Sequence, residues 1–393
     1  MKVLMINSVC GIGSTGRICT NIAQELEKQG HEVKIAYGRD AYVPEQFRKY
    51  AVRIGSDFDV RVHGVKARLR DASGFGSKKA TIKFISWVKE YNPDIIHLHN
   101  IHGYFINVEI LFDYLKKCEK RIIWTLHDCW SFTGHCSHYV YEGCEKWKKQ
   151  CQNCSHINEY PKSFIDNSFR NFIRKKNIFS DVSNMIIVTP SEWLKYQVKQ
   201  SFLKEYEIKI IRNGIDLNIF YKRVTNLKER YNLNGRKIIL GVSSVWNKKK
   251  GLDYFCELSS LIDDEYKIVL VGVDEKQRRS IPNNILCIEK TNNINELAEW
   301  YSCADVFVNP TLEDTYPTTN LESIACGTPV VTFDTGGSSE SARNYGIVVE
   351  KKSIESLYEA IKKSSNIKKN VKRNVISIEE MTQEYMNLYF FSA

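Results

Sequence analysis

The chain has 393 residues, 43% of them hydrophobic and 26% charged, a globular composition on a length that exceeds one ordinary core; two or three domains are expected, and a disordered or fibrous chain is excluded. The formal net charge of +10 suits an anionic ligand or an anionic membrane surface. Nucleic acid is not expected as a partner, because no nucleic-acid motif occurs and the aromatic residues are not interleaved with basic ones as a stacking platform requires.

At the N-terminus MKVLMI reads as a short buried strand, too brief for the apolar core of a signal peptide. No later run approaches the roughly 18 apolar residues of a spanning helix, so a cytoplasmic protein is expected. The glycines of VCGIGSTGRI follow, with Gly11, Gly13 and Gly16 spaced G-x-G-x-x-G, and Arg17 to Gln29 then carries Ile18, Ile22 and Leu26 at helical spacing. A glycine loop before a helix turns free N–H groups toward a phosphate. A dinucleotide clamp fits less well. Asn7, Ser8, Val9 and Cys10 separate the glycines from the strand, and the next strand, HEVKIAY, ends at Tyr37 without the acidic residue such a site needs, Asp40 coming later in a loop.

Further strands are expected at DIIHLH, RIIWTLH, MIIVTP, IKIIRNG, KIILGVSS, KIVLVGV, ADVFVNP and PVVTFD. Helices are expected between them, at 80–91, 108–117, 192–202, 251–262, 294–303 and 318–326. This alternation predicts an α/β protein with two doubly wound parallel sheets. The turn at Asn213-Gly214 marks a boundary, giving domains over 1–213 and 214–370. Lys368, Lys369, Lys372 and Arg373 form a basic connection to a last segment, 371–393, whose helix over 378–391 is expected to pack back on the first domain. In such folds ligands bind outside the carboxyl ends of the strands, and the cleft between two domains is the default site.

The strand ends carry the chemistry. DIIHLHNIHGYF delivers His97, His99, Asn100 and His102, and WTLHDCWSFTGHC delivers His127 and Asp128. An insertion over about 129–156 holds Cys136, Cys144, Cys151 and Cys154 in the spacing C-x7-C-x6-C-x2-C, with Cys129 just before. In a reducing compartment a structural zinc explains this cluster better than disulfides, with free thiols or a conditional disulfide as alternatives and His135 and His138 as substitute ligands. Tyr160 to Phe179 mixes Phe164, Phe169, Phe172 and Ile173 with Lys162, Arg170, Arg174, Lys175 and Lys176. It reads either as a helix packed on the first domain or as a basic amphipathic helix on anionic lipid.

In the second domain LGVSSVWNKKKGLDYFCEL places Lys248, Lys249 and Lys250 before Gly251 and a helix. PTLEDTYPTTNLESIACGTPVV places Glu313 and Asp314 in a loop, then a helix from Thr318 that carries Glu322, seven residues separating Asp314 from Glu322. The helix start offers its dipole and free N–H groups to a phosphate, and a carboxylate one turn further can accept hydrogen bonds from sugar hydroxyls.

Together these segments resemble the retaining glycosyltransferases of family 4, which have the GT-B fold of two Rossmann-like domains facing each other across a cleft. The resemblance implies that Lys250 reaches the donor pyrophosphate. Lys249 or Arg17 then supplies the cation that the family usually carries where this chain has Ser243 and Ser244. It implies that Glu322 holds the ribose, that Asp314, or Glu313 in a register one residue away, orients the donor sugar, and that Thr318, Asn320 and Leu321 belong to the donor site. His127 is implied to line the acceptor side beside the reacting carbon, with His97, His99, Asn100 and Asp128 around it. The loop of Gly11, Gly13, Ser14, Gly16 and Arg17 faces donor phosphate or acceptor. STGRI, HDCWSFTGHC and TLEDTYPTTNLE resemble the subgroup of bacterial capsule, colanic-acid and O-antigen synthesis. The implied partners are a UDP- or GDP-linked sugar and a saccharide or lipid-linked oligosaccharide, at the inner face of the plasma membrane. No cofactor is implied for catalysis. A sugar-nucleotide epimerase of the same fold and, more distantly, a dinucleotide-dependent oxidoreductase are the rival readings.

Overall fold

The structure, a computed structural model, describes residues 1–343, 345–365, 367 and 375–390. The four basic residues of the expected connection, and Phe391, lie outside them. The chain forms two compact units, one joining Met1–Arg212 to the stretch from Ile378 and the other spanning Asn213–Ser377.

The first unit is built on a seven-stranded sheet of β1 (Lys2–Ile6), β2 (Glu32–Tyr37), β3 (Ala51–Arg53), β4 (Ile95–Leu98), β5 (Arg121–Thr125), β6 (Met185–Thr189) and β7 (Ile208–Ile210), in the order β3-β2-β1-β4-β5-β6-β7. Every pairing is parallel. The second unit has a six-stranded parallel sheet of β8 (Lys237–Val242), β9 (Tyr266–Val271), β10 (Leu286–Ile288), β11 (Val306–Asn309), β12 (Val330–Phe333) and β13 (Gly346–Val349), in the order β10-β9-β8-β11-β12-β13. Both are doubly wound. Strand order reverses between β1 and β4 in one and between β8 and β11 in the other, and that reversal opens a crevice at the carboxyl ends of the central strands. The central strands are near-continuous apolar runs because helices cover both of their faces.

The three strands absent from the sequence reading, β3, β10 and β13, are all edge strands whose residues are only half-buried. An edge strand covered on fewer sides needs no apolar run, so it carries no periodic signal. The first helix, Gly13–Lys28, starts four residues before the expected Arg17; Gly13, Ser14, Gly16 and Arg17 lie on its first turns, and the loop proper is 7–12. The C-terminal helix, Ile378–Phe390, buries Tyr385 and Tyr389 in the first unit. The second unit extends to Ser377 because the outgoing and returning chains pair there, Ile215 N–H donating to the Ile376 carbonyl at 3.1 Å.

Candidate active site

In the second unit the loops after β8 and β11 meet at the strand-order reversal. Gly251 makes this possible: it has φ +78°, and a Cβ there would stand 2.3 Å from the Pro310 carbonyl oxygen. The lysine turn therefore lies directly on the PTLED loop, with Leu312 N–H donating to the Lys249 carbonyl at 2.7 Å. The result is two ion pairs side by side, Lys249 Nζ to Glu313 Oε1 and Lys250 Nζ to Asp314 Oδ2, each at 2.6 Å. Glu313 is the more buried of the two acids, and each has its own lysine.

The helix Thr318–Ala325 starts beside this pair. Pro317 precedes it, no side chain caps it, and its first turn holds no acid, so its leading N–H groups face outward from half-buried Thr318. Glu322, one turn on, is 7% exposed and accepts a hydrogen bond from the Tyr301 hydroxyl at 3.0 Å. Two expected donor residues fall elsewhere. Asn320 is fully buried and ties helices together, its Oδ1 accepting from Asn309 at 2.8 Å and its Nδ2 donating to Ser341 Oγ at 2.8 Å. Leu321 belongs to the apolar core. Helical periodicity turns both inward, so neither side chain reaches the helix start.

In the first unit the glycine loop and the histidine cluster share the β1/β4 reversal. Asn7 links them, accepting the Asn100 N–H at 3.2 Å and donating to the Val9 carbonyl at 2.8 Å. Gly11 has φ +72°, and a Cβ there would meet the Phe47 ring at 2.6 Å; this glycine lets the loop fold down on its neighbour. The helix that follows has no side-chain cap and no acid in its first turn, and Gly13, Ser14 and Arg17 are exposed.

His127, half-buried at the end of β5, receives His99 from below: His99 Nδ1 and His127 Nε2 are 3.0 Å apart and the rings are stacked. Burial, helped by the neighbouring imidazoles, holds His99 well below the usual imidazole range. Burial also pulls His127 down to about 4, although Asp128 acts the other way. Both are therefore neutral near pH 7. Asp128 is the anion of the group. Burial pushes it up, but His102, His138 and the Trp130 N–H outweigh this and hold it at about 2. Its Oδ2 is 2.6 Å from His102 Nε2, and His102 Nδ1 is 3.0 Å from the Tyr160 hydroxyl.

His97 is a correction. It lies within β4, fully buried, with Nδ1 2.7 Å from the Tyr389 hydroxyl and Nε2 2.8 Å from Thr125 Oγ1. Strand alternation puts it on the face that the C-terminal helix covers, so it anchors that helix instead of lining an acceptor site.

Sequence reading passed over two features. Tyr160 and Arg39, whose guanidinium lies 5.2 Å from the Tyr160 ring centroid, come from loops with no motif. The helix Asp57–Arg70 is the other. Phe58, Val62, Val65 and Leu69 are 74%, 37%, 57% and 52% exposed, and at 3.6 residues per turn they fall within about 60° of one another. Its buried face, with His63 and Ala67, is opposite, and Arg61, Lys66, Arg68 and Arg70 flank the apolar stripe. Phe164, Ile165, Phe169 and Ile173, also exposed, continue it: Phe164 N–H donates to the Arg68 carbonyl at 2.8 Å. Of the basic residues expected in that segment, Lys175 is instead 1% exposed, its Nζ bonding the Trp130 and Thr133 carbonyls at 2.7 and 3.1 Å. No helix among the described residues is long and apolar enough to cross a membrane. A cavity of about 1310 Å³ lies at the amino ends of β5 and β6, lined by Arg121, Asn184 and Met185, and holds none of the site residues.

Comparison with known proteins gives the family and the fold. Residues 15–219 match the family model described as Glycosyltransferase Family 4, and residues 236–366 match the one described as Glycosyl transferases group 1. The chain is 26% identical over 235 residues to WcaC of Escherichia coli, named for a glycosyl transferase of colanic acid biosynthesis, covering 55% of each chain. It is 25% identical over 209 residues to the N,N'-diacetylbacillosaminyl-diphospho-undecaprenol alpha-1,3-N-acetylgalactosaminyltransferase of Campylobacter jejuni, covering 48% of this chain and 55% of that one. The chain thus spans about half the length of the curated relatives it matches. Among solved structures, sucrose-phosphate synthase from Thermosynechococcus elongatus superposes with a TM-score of 0.73 at 15% identity over 99% of this chain and 98% of that one. Anabaena Alr3699/HepE in complex with UDP and glucose gives 0.67 at 12% identity over 99% of both chains. These structures share the GT-B fold.

Proposed function

We propose that this chain, which belongs to glycosyltransferase family 4, transfers a sugar from a UDP- or GDP-linked donor to a saccharide or lipid-linked oligosaccharide in surface polysaccharide synthesis. The observation that carries this reading is the double lysine–carboxylate pair beside an uncapped helix start at the strand-order reversal of the second unit. A diphosphate entering there meets the Lys250 ammonium, once it turns from Asp314, and a helix dipole, both of which favour a leaving nucleoside diphosphate. These groups supply the neutralisation that a divalent metal provides in other transferases, so catalysis proceeds without one.

In this reading Lys250 swings from Asp314 to the pyrophosphate. Asp314, freed of that partner, accepts hydrogen bonds from the donor sugar, and Glu322 accepts them from the ribose. The first unit takes the acceptor. Neutral His127, braced by His99, supports the reacting centre, and the departing phosphate oxygen takes the proton of the attacking hydroxyl. Attack from the leaving-group face retains anomeric configuration. The UDP in the Anabaena structure and the polyprenol diphosphate in the name of the Campylobacter relative support the donor and acceptor classes. The basic-rimmed apolar stripe supports work at an anionic membrane surface, as a lipid-linked acceptor demands.

The test is an acceptor-dependence assay. With nucleotide sugar and a polyprenol-linked saccharide, nucleoside diphosphate is released and the lipid gains one sugar; with nucleotide sugar alone, release falls to background. Conversion of the nucleotide sugar that is equally fast without acceptor would favour the epimerase instead.

A further inference from the structure

The cysteine-rich insertion encloses a cavity of about 20 Å³ in the first unit. Cys136, Cys144, Cys151 and Cys154 all line it, and so do His135 and His156. The two histidines are 2% and 1% exposed. Each has its Nδ1 engaged by a carboxylate, His135 by Asp71 Oδ1 at 2.5 Å and His156 by Glu159 Oε2 at 3.4 Å. Each has its Nε2 buried without a hydrogen-bond partner. An orphaned buried nitrogen costs about 1–3 kcal/mol, and the two residues that carry them line one small cavity.

The volume suits a single water or a single ion. Thiols are weak hydrogen-bonding groups, so four of them make a poor cage for water and a good one for a soft cation. A carboxylate fixing one imidazole nitrogen while the other faces a metal is the usual arrangement around protein-bound zinc. Gly134 N–H donates to Cys151 Sγ at 3.2 Å and so orients that sulfur. Among the described residues no group of three or more His, Cys, Asp or Glu is already gathered at metal-holding geometry. Cys136 and Cys154 instead hydrogen-bond to each other.

We propose that this cavity is a structural zinc site, held by the thiolates of Cys136, Cys151 and Cys154 and a fourth donor, Cys144 Sγ or the Nε2 of His135 or His156. Three or four thiolates with at most one imidazole is a closed, tetrahedral structural set. Its place in the fold gives it a use. The insertion packs Trp147 against Phe132 and Tyr139 and lies between Asp128 and Tyr160, two members of the hydrogen-bonded group at the end of β5. Metal would fix both ends of it.

The test is metal content of the intact chain purified without chelator, read by elemental mass spectrometry. About one zinc per chain is expected, with Cys136→Ser and Cys154→Ser each lowering it by about tenfold or more and Cys118→Ser, outside the cavity, leaving it unchanged. One of Cys144→Ser, His135→Gln and His156→Gln also releases the metal and so names the fourth donor; retention in all three would contradict the proposal. If the serine variants fail to fold, cobalt added to the chelator-stripped native chain gives the same answer, through the appearance of thiolate-to-metal charge-transfer absorption. A native chain without zinc that shows no such band, or an intact mass two hydrogen atoms short from a disulfide between these cysteines, would overturn it.

Discussion

Lys250→Ala is expected to lower turnover by about 10²–10³-fold, the scale for removing one preorganised charge from the seat of a developing anion. The effect belongs to kcat and not to folding, because the Lys250 side chain is 38% exposed and its pair with Asp314 is a surface-type ion pair of small net worth. The melting temperature should therefore stay near that of the native chain. The loss should exceed that of Lys249→Ala, since Lys249 is the more buried lysine, locked to the more buried acid Glu313, and so less able to turn to a ligand. Near-normal turnover of Lys250→Ala would remove Lys250 from the site.

The second large effect concerns the apolar stripe. Val65→Asp combined with Leu69→Asp is expected to weaken binding to anionic vesicles by about 10²-fold. Burying an aliphatic side chain contributes about 1.5–3 kcal/mol, and partial insertion of two such residues at roughly 1.4 kcal/mol each gives that factor. The substituted side chains are 57% and 52% exposed, so the fold should not change. Vesicles of neutral lipid should bind the native chain weakly, because Arg61, Lys66, Arg68 and Arg70 then have no anions to meet. Sedimentation with vesicles checks this, and equal binding by native and doubly substituted chains would contradict the assignment of this face.

The two faces of the helix Asp57–Arg70 also show why it was hard to read. It is apolar on its buried side and on its exposed side, so its periodicity partly cancels, and no amphipathic signal points to a helix. Its Ser56–Asp59 capping box was the local signal available. The central strands are another matter. β1, β4, β5, β8, β9 and β11 are short apolar runs ending at turn residues, and such runs in alternation with helical periods specify a doubly wound sheet. The lysine turn, the acidic loop and Glu322 were legible as a motif, but their pairing was not. Lys249 with Glu313 and Lys250 with Asp314 depend on Gly251 letting two distant loops touch, a contact invisible along the chain. His97 departs from its sequence pattern for a related reason. It reads like His99 two residues on, and only the return of the C-terminal helix decides that Tyr389 covers it.

The central claim is that the second unit holds a nucleoside diphosphate and that the glycine loop of the first is no dinucleotide clamp. Thermal unfolding of the intact chain with UDP, GDP, NAD and NADP, without added metal, tests it most directly, since a ligand that binds only the folded state raises the melting temperature. A shift is expected with UDP or GDP and none with the dinucleotides, and the responding base names the donor class. A shift with NAD or NADP alone would contradict it.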